Sequence, residues 1–472
     1  MPVIPFAQQS YKSQSLPISA QRCVNCYAEM EPEDAKTPVA VLGAPGLLSF
    51  NGAICGTGPV RGVNFMNGVL YVVSGQRLYS LTSAGVVTDV GGAIAGSGIV
   101  SMANNGTQIV IVNGVNGFVW SQASGFQVIT NINFFPANTV TFFDNYFVLD
   151  KAGTNNYFIS ASGDGTSYLG TDFAAAEVQS DFVLSIVNQQ ETLLIFGGTT
   201  IETWYDAGQV NFPFLRTNGA TIERGCAALM TPVKEDNSVF FLGNDFVFYR
   251  LSGTTLQRVS THAIEDAFQS YSTVADAYTF SFTYEGHKQI VLTFPTANAT
   301  WVYDIATDKW HERESWDQNN NSYGRWRGNV GIMAFGKVII GDAYSGQIFY
   351  LDPNTFTEGG NTMRSIMTSP PLHDDRCLIG IPEFELDIES GVGTTTGQGQ
   401  VPEIMLDWSN DGGRTFHSQQ QWTTLGALGA YTTRARWLGL GASRSWVFRA
   451  MISDPVKQTV LRAHANVMKG VA

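Results

Sequence analysis

The stretch Tyr71-Val72-Val73-Ser74-Gly75, with Leu78-Tyr79 just beyond it, decides the reading of this chain. A short apolar strand ends at a glycine turn, and an aromatic-containing strand follows at once. The unit returns as Ile111-Val112-Asn113-Gly114 before Phe118-Val119-Trp120, and as Tyr146-Phe147-Val148-Leu149-Asp150 before Tyr157-Phe158-Ile159. Leu193-Leu194-Ile195-Phe196-Gly197 precedes Ile201-Glu202-Thr203-Trp204, and Val239-Phe240-Phe241-Leu242-Gly243 precedes Val247-Phe248-Tyr249. The last two are Ile290-Val291-Leu292-Thr293-Phe294-Pro295 before Trp301-Val302-Tyr303, and Val338-Ile339-Ile340-Gly341 before Ile348-Phe349-Tyr350. From turn to turn the spacings are 39, 36, 47, 46, 52 and 46 residues. Four-stranded propeller blades repeat every ~40–50 residues. One blade cannot bury both of its faces, whereas radial packing of blades buries them against each other and leaves only short edges exposed. The reading is an all-β chain whose residues 56–370 form a β-propeller of six or seven blades. A sandwich with regularly spaced hairpins would imitate the same period.

Working outward, residues 1–55 read as an N-terminal extended docking segment and residues 371–472 as a small C-terminal β-sandwich. The boundary is the polar, turn-rich stretch that runs from Leu351-Asp352-Pro353 through Ser369-Pro370-Pro371 to Arg376. Beyond it, Phe384, Leu386 and Ile388 alternate onto one face, and residues 404–408, 446–452 and 459–463 are strand-like. Helix is confined to residues 174–180 and 263–269, a turn or two each.

The composition agrees. Of 472 residues 44% are apolar, enough for a large core, but only 14% are charged, against ~25% in an average domain. The 49 glycines supply tight turns between short strands. Disorder, collagen, coiled coil and helical bundle are all disfavoured. No run reaches ~18 apolar residues, so no transmembrane helix or stable membrane insertion is expected. The opening Met1-Pro2-Val3-Ile4-Pro5-Phe6 lacks the basic start and apolar core of a secretory signal.

With 27 Lys and Arg against 40 Asp and Glu the net charge is −13. Such a chain is a poor general nucleic-acid binder, because phosphate affinity comes mostly from basic side chains. The charge is unevenly divided: residues 1–375 carry −14 and residues 376–472 carry +1. Residues 412–453 hold Arg414, Arg434, Arg436, Arg444 and Arg449 with no acid, either a solvated face or a docking site for acidic or phosphate groups. Residues 78–150 contain no Lys or Arg. They form either a surface covered by a neighbouring subunit or ordinary Asn/Ser/Gly-rich strands facing water.

Little points to catalysis. The five cysteines are no disulfide framework, and Cys23-Val24-Asn25-Cys26 has metal-knuckle or redox spacing with no second pair to complete a site. Ser409-Asn410-Asp411-Gly412-Gly413-Arg414-Thr415-Phe416 fits the Asp-box, a stabilised hairpin turn common in sialidase propellers. A sialidase also needs several converging arginines, and Arg61 and Arg77 are alone between residues 23 and 215. The six histidines show no metal-binding pairing, the Gly-rich strings lack a Walker lysine, and Glu383 and Glu385 read as exposed acids on an edge strand. No catalytic, cofactor or metal site is expected. A carbohydrate-binding or sialidase-like propeller is the alternative reading.

Ser10-Tyr11-Lys12-Ser13-Gln14-Ser15, Ala20-Gln21-Arg22-Cys23-Val24-Asn25-Cys26-Tyr27-Ala28-Glu29 and Gly43-Ala44-Pro45-Gly46-Leu47 resemble a phage family. Residues 61–62, 67–75, 100–108, 200–208, 212–214 and 222–228 continue the resemblance, as do residues 444–449 and 452–457. The family is the packaged-DNA stabilisation proteins, the tail hub or nozzle proteins of short-tailed phages. One departure is Ala28, where the family pattern has Pro between Tyr and Glu. The resemblance implies a virion structural protein, made in the host cytoplasm, with no catalytic residues and no cofactor. Six copies would ring the DNA channel below the portal and its adaptor, hold packaged DNA without sequence-specific binding, and dock spikes, fibres or a needle. Arg22, Tyr27 and the five arginines of residues 412–453 are then the candidate partner-contacting residues.

Overall fold

A computed structural model describes residues 1–179, 181–209, 212–318, 320–375, 377–417 and 420–470. The repeat forms seven four-stranded antiparallel sheets among the described residues. Blades 1 to 6 occupy residues 60–92, 101–128, 140–175, 183–216, 233–258 and 278–312. Blade 7 takes three strands from residues 328–352 and its fourth, Gly46–Ile54, from before blade 1. That strand runs antiparallel to Gln347–Asp352, with Leu47 opposite Leu351 and Ser49 opposite Phe349.

The continuous apolar runs have a simple cause. Side chains alternate across a strand, and here both faces of each blade are covered. Ile109 and Ile111 pack toward blade 1 with Tyr71 and Val73, whereas Val110 and Val112 pack toward blade 3 with Val140 and Leu149. The same division holds at every blade pair, and the cluster of Phe50, Val60, Val72, Val330 and Ile348 joins blade 7 to blade 1. Gly346 sits where the closing strand crosses: a Cβ there would lie 2.2 Å from the Cys55 carbonyl oxygen.

The second body is a sandwich built from both ends of the chain. One sheet contains Cys26–Met30, Val39–Gly43, Thr459–Lys469, Ile379–Ile388 and Ala435–Ser443, with Val3–Ile4 paired to Thr459–Lys469. The facing sheet contains Ala20–Val24, Ser365–Thr368, Ser445–Ile452, Glu403–Ser409 and Gln421–Thr424. Between them lie Phe384, Leu386, Trp408, Trp437, Trp446 and Phe448.

Three expectations change. Residues 1–55, read as an extended docking segment, are sheet strands, because their backbone groups find partners in the sandwich and in blade 7. The sandwich opens before residue 371, since Ser365–Thr368 already pairs with Ala20–Val24 and Ser445–Ile452. Arg376, the expected edge of the boundary, lies outside the described residues. Of the two helices, residues 263–269 match His262–Ser270, whose Ile264 and Phe268 pack between blades 5 and 6. Residues 174–180 do not: Phe173–Ala175 is the outer strand of blade 3, paired with Asn156–Ile159, and Ser180 lies outside the described residues.

The closing strand makes a measurable demand. Phe50 is 3% exposed and stacks on Phe335 at 5.5 Å. Phe50→Ala is expected to lower the unfolding free energy by about 3–5 kcal/mol, read from the denaturant midpoint. A loss below about 1 kcal/mol would mean that the ring closes without this strand.

Candidate functional site

The residues 10–29 that carry the family-like motif converge where the sandwich meets blade 6. Asn25 is the hub. It is fully buried and adopts φ 52°, a left-handed conformation that Asn tolerates. This kink ends Ala20–Val24 in one sheet and starts Cys26–Met30 in the other. Its side-chain Nδ2 donates to the Glu314 carbonyl at 2.9 Å and the Arg364 carbonyl at 2.8 Å. Its Oδ1 accepts the Glu314 amide at 3.1 Å. The Cys-x-x-Cys spacing is therefore a sheet switch, and Cys23 and Cys26 are buried free thiols. Among the described residues no cluster of three or more His, Cys, Asp or Glu could hold a metal.

Tyr27 faces inward at this joint, and Arg22 lies across it with its side chain 37% exposed. Arg22 grips Glu312 through two hydrogen bonds of 3.0 and 2.6 Å, and the same carboxylate accepts the Ser10 hydroxyl at 3.0 Å. Tyr27 is 3% exposed, edge-on to His287 at 5.0 Å. Burial within the chain leaves Tyr27 no surface for a partner.

Beneath Tyr27, His287 bridges the two bodies. Its Nδ1 meets Asp304 and its Nε2 meets Glu29, each at 2.6 Å. Bonding to Asp304, then to Glu29, outweighs burial and lifts the His287 pKa to about 9. Nearby His311 is pushed down to about 3 by burial and by the adjacent Arg313. Asp304 also accepts the Thr307 hydroxyl and the Ala306 amide, each at 3.0 Å, which anchor the Asp–His–Glu row in the turn after its own strand. The row is an ionic clasp between domains.

The five C-terminal arginines are acid-free only along the chain. Sheet register sets Ile379–Ile388 beside Ala435–Ser443, so Arg434 pairs with Glu385 and Arg436 with Glu383. Ile379–Ile388 is a central strand rather than the expected edge, and its acids are partnered. Arg449 pairs with Asp407 through Nε at 2.9 Å and covers the Phe416 ring at 3.9 Å. Arg414 ties back to the Asp411 carbonyl at 2.8 Å, and Arg444 lies in the turn between two strands. The Asp-box is a turn as read: Asp411 accepts the Ser409 and Thr415 hydroxyls and the Arg414 and Thr415 amides, which hold its carboxyl well below the usual range. Arg61, a possible sialidase arginine, is 2% exposed and donates to the carbonyls of Gly75, Ile94, Ala95 and Gly98, tying blade 1 to the connection that leads to blade 2.

The axis of the ring is a feature that sequence reading missed. Inner strands line an open cavity of about 490 Å³ bordered by residues such as Ser101, Asn104, Thr141, Asn188 and Thr279. Lys234 is the one charged residue among those lining it.

A family model described as "Bacteriophage P22 Gp10, beta-propeller" matches residues 4–356, and one described as "Bacteriophage P22 Gp10, beta-sandwich" matches residues 364–468. A search of curated proteins finds no match. Among solved structures, the computationally designed Ika8 protein is 12% identical, covering 70% of this chain and 99% of that one, with a TM-score of 0.39. The N-terminal domain of Nup159 is 11% identical over 68% and 97% of the two chains, with a TM-score of 0.41. The extracellular domain of BT4673 from B. thetaiotaomicron is 8% identical over 86% and 56%, with a TM-score of 0.44. Likenesses at this level carry no functional argument.

The clasp titrates in a defined direction. The folded-state pKa of His287 is raised above the ordinary 6.5 to about 9, so its stabilisation is complete below 6.5 and lost as pH rises through 9. His311, lowered from 6.5, acts oppositely: its contribution fades as pH falls below 6.5. Thermal unfolding of wild type and His287→Gln should therefore differ most at and below pH 6.5 and converge by pH 9. A difference that is constant across that range would remove the clasp from the account.

Proposed function

Because the chain belongs to the bacteriophage P22 Gp10 family, phage structural proteins that stabilise packaged DNA, we propose that it forms the terminal segment of the DNA conduit in a short phage tail. In this reading six copies, made in the host cytoplasm, form a ring below the portal and adaptor. The ring retains the genome, lets it pass at ejection, and offers docking sites to spikes, fibres or a needle. The family match across both bodies carries the reading.

Geometry constrains how the conduit is built. The open cavity on the propeller axis has a volume of about 490 Å³. A cavity of that volume, lined by all seven inner strands, would hold only about sixteen water molecules at ~30 Å³ each, far less than a turn of double helix displaces. Duplex DNA therefore does not thread a single propeller; the conduit lies between copies, with each propeller forming part of its wall. Closed cyclic symmetry then requires two different contact patches per subunit. The charge suits a sliding surface. Each chain carries −13, and wall carboxylates within the ~8 Å Debye length would repel DNA phosphates rather than hold them. Residues 78–150, without Lys or Arg, are the candidate covered surface.

No helix among the described residues is long and apolar enough to cross a membrane. The Asp304–His287–Glu29 row, buried at Asp304 and His287, serves cohesion, so the role proposed is non-enzymatic.

Phage carrying a nonsense mutation in the gene for this chain should fill their heads and then release the DNA. Adding purified protein should restore retention and infectivity, with particles gaining a ring of about 308 kDa for six copies. Mutant particles that keep their DNA and infect normally would overturn the proposal. Saturable binding of a glycan array would instead favour the carbohydrate-binding alternative.

A further inference from the structure

Viewed down the ring, the inner strands are laced by short polar side chains. Asn104 Nδ2 donates to Asn64 Oδ1 at 2.7 Å, linking blades 2 and 1. Thr141 of blade 3 donates to Asn188 Oδ1 of blade 4 at 2.8 Å, and Lys234 Nζ of blade 5 donates to the same oxygen at 2.9 Å. Lys234 is thus positioned by a carboxamide that two groups share, and a lysine ammonium has three N–H donors. One is engaged by Asn188.

No carboxylate lines this cavity. The strand's own acid, Glu235, is next to Lys234 in sequence and so alternates to the opposite face, and Asp236 just beyond it is paired with Lys288 at 2.6 Å and Arg250 at 2.7 Å. In a chain of net charge −13, a fixed ammonium without a carboxylate, set in a partly enclosed cavity, is unusual. Its ammonium opens onto the cavity, and the surrounding strands push its pKa down from the ordinary lysine value. A water molecule takes ~30 Å³ of liquid volume, so the cavity has room for a small anion with part of its hydration shell.

We propose that the axial cavity is a binding site for a small oxyanion, of the phosphate or carboxylate class, held on Lys234 Nζ beside Asn188 and Thr141. The bound anion bridges the inner strands of blades 3, 4 and 5. This inference is independent of the tail assignment, since it concerns the isolated chain.

The test uses full-length protein titrated with inorganic phosphate and, separately, acetate. Calorimetry should give one saturable site, and the unfolding midpoint should rise with anion concentration as mass action requires. Lys234→Met should weaken binding at least tenfold and abolish the anion-dependent rise. Lys234→Arg, which keeps the charge, should retain most of both. Because Lys234 is exposed to the cavity, Lys234→Met should unfold at the wild-type temperature without anion, which separates loss of binding from loss of fold. Binding undiminished in Lys234→Met, or no saturable binding of either anion, overturns the proposal.

Discussion

Everything in this molecule depends on strands that are buried on both faces. When Ile109 and Ile111 pack one way and Val110 and Val112 the other, no blade has an interior of its own. Each apolar layer is shared, so a blade is stable only between two neighbours, and the arrangement must close on itself. Closure falls to Gly46–Ile54, which completes blade 7 from the other end of the repeat. A radial stack with one unsupported face would expose Val60, Val72 and Leu81 to water.

The sandwich repeats this logic with polar groups. Its strands come from the first 43 and the last hundred or so residues, and the two sets are held to blade 6 by ions and amides rather than by oil alone. Asn25 bonds three backbone groups across the joint, Arg22 clamps Glu312, and His287 joins Glu29 to Asp304. Buried charge of this kind adds little net stability over an apolar contact, but it fixes geometry because misplacement leaves an unpaired ion. A joint that must keep two rigid bodies in one orientation suits such directional contacts.

How much was legible in the sequence follows from where each partner lies. Blade strands such as Tyr71–Val73 were readable because pairing and turn are local. The blade number was not, since the closing strand precedes the repeat and carries the polar step Asn51-Gly52 in place of the unit's signature. Ala174-Ala175-Ala176 has helical propensity, yet hydrogen bonding to Asn156–Ile159 wins and makes strand. The arginines of residues 412–453 read as an acid-free patch because Glu383 and Glu385, their partners, stand some fifty residues earlier. Residues 10–29 stood out as a motif, but their task was hidden: their contacts are with residues near 287, 312 and 364. Lys234 had no signal at all, because being the one charge around an axis is a property of seven strands together.

Interleaved ends also govern biosynthesis. Val41 pairs with Val460, so the ribosome delivers the second member of that pair roughly 20–80 s after the first at ~5–20 residues per second. Blades 1 to 6 are complete in the nascent chain well before then, while Cys26–Met30 and Val39–Gly43 wait with an open edge. The sandwich is consequently assembled last, and during that interval the waiting β-edge is open to mispairing with another nascent copy.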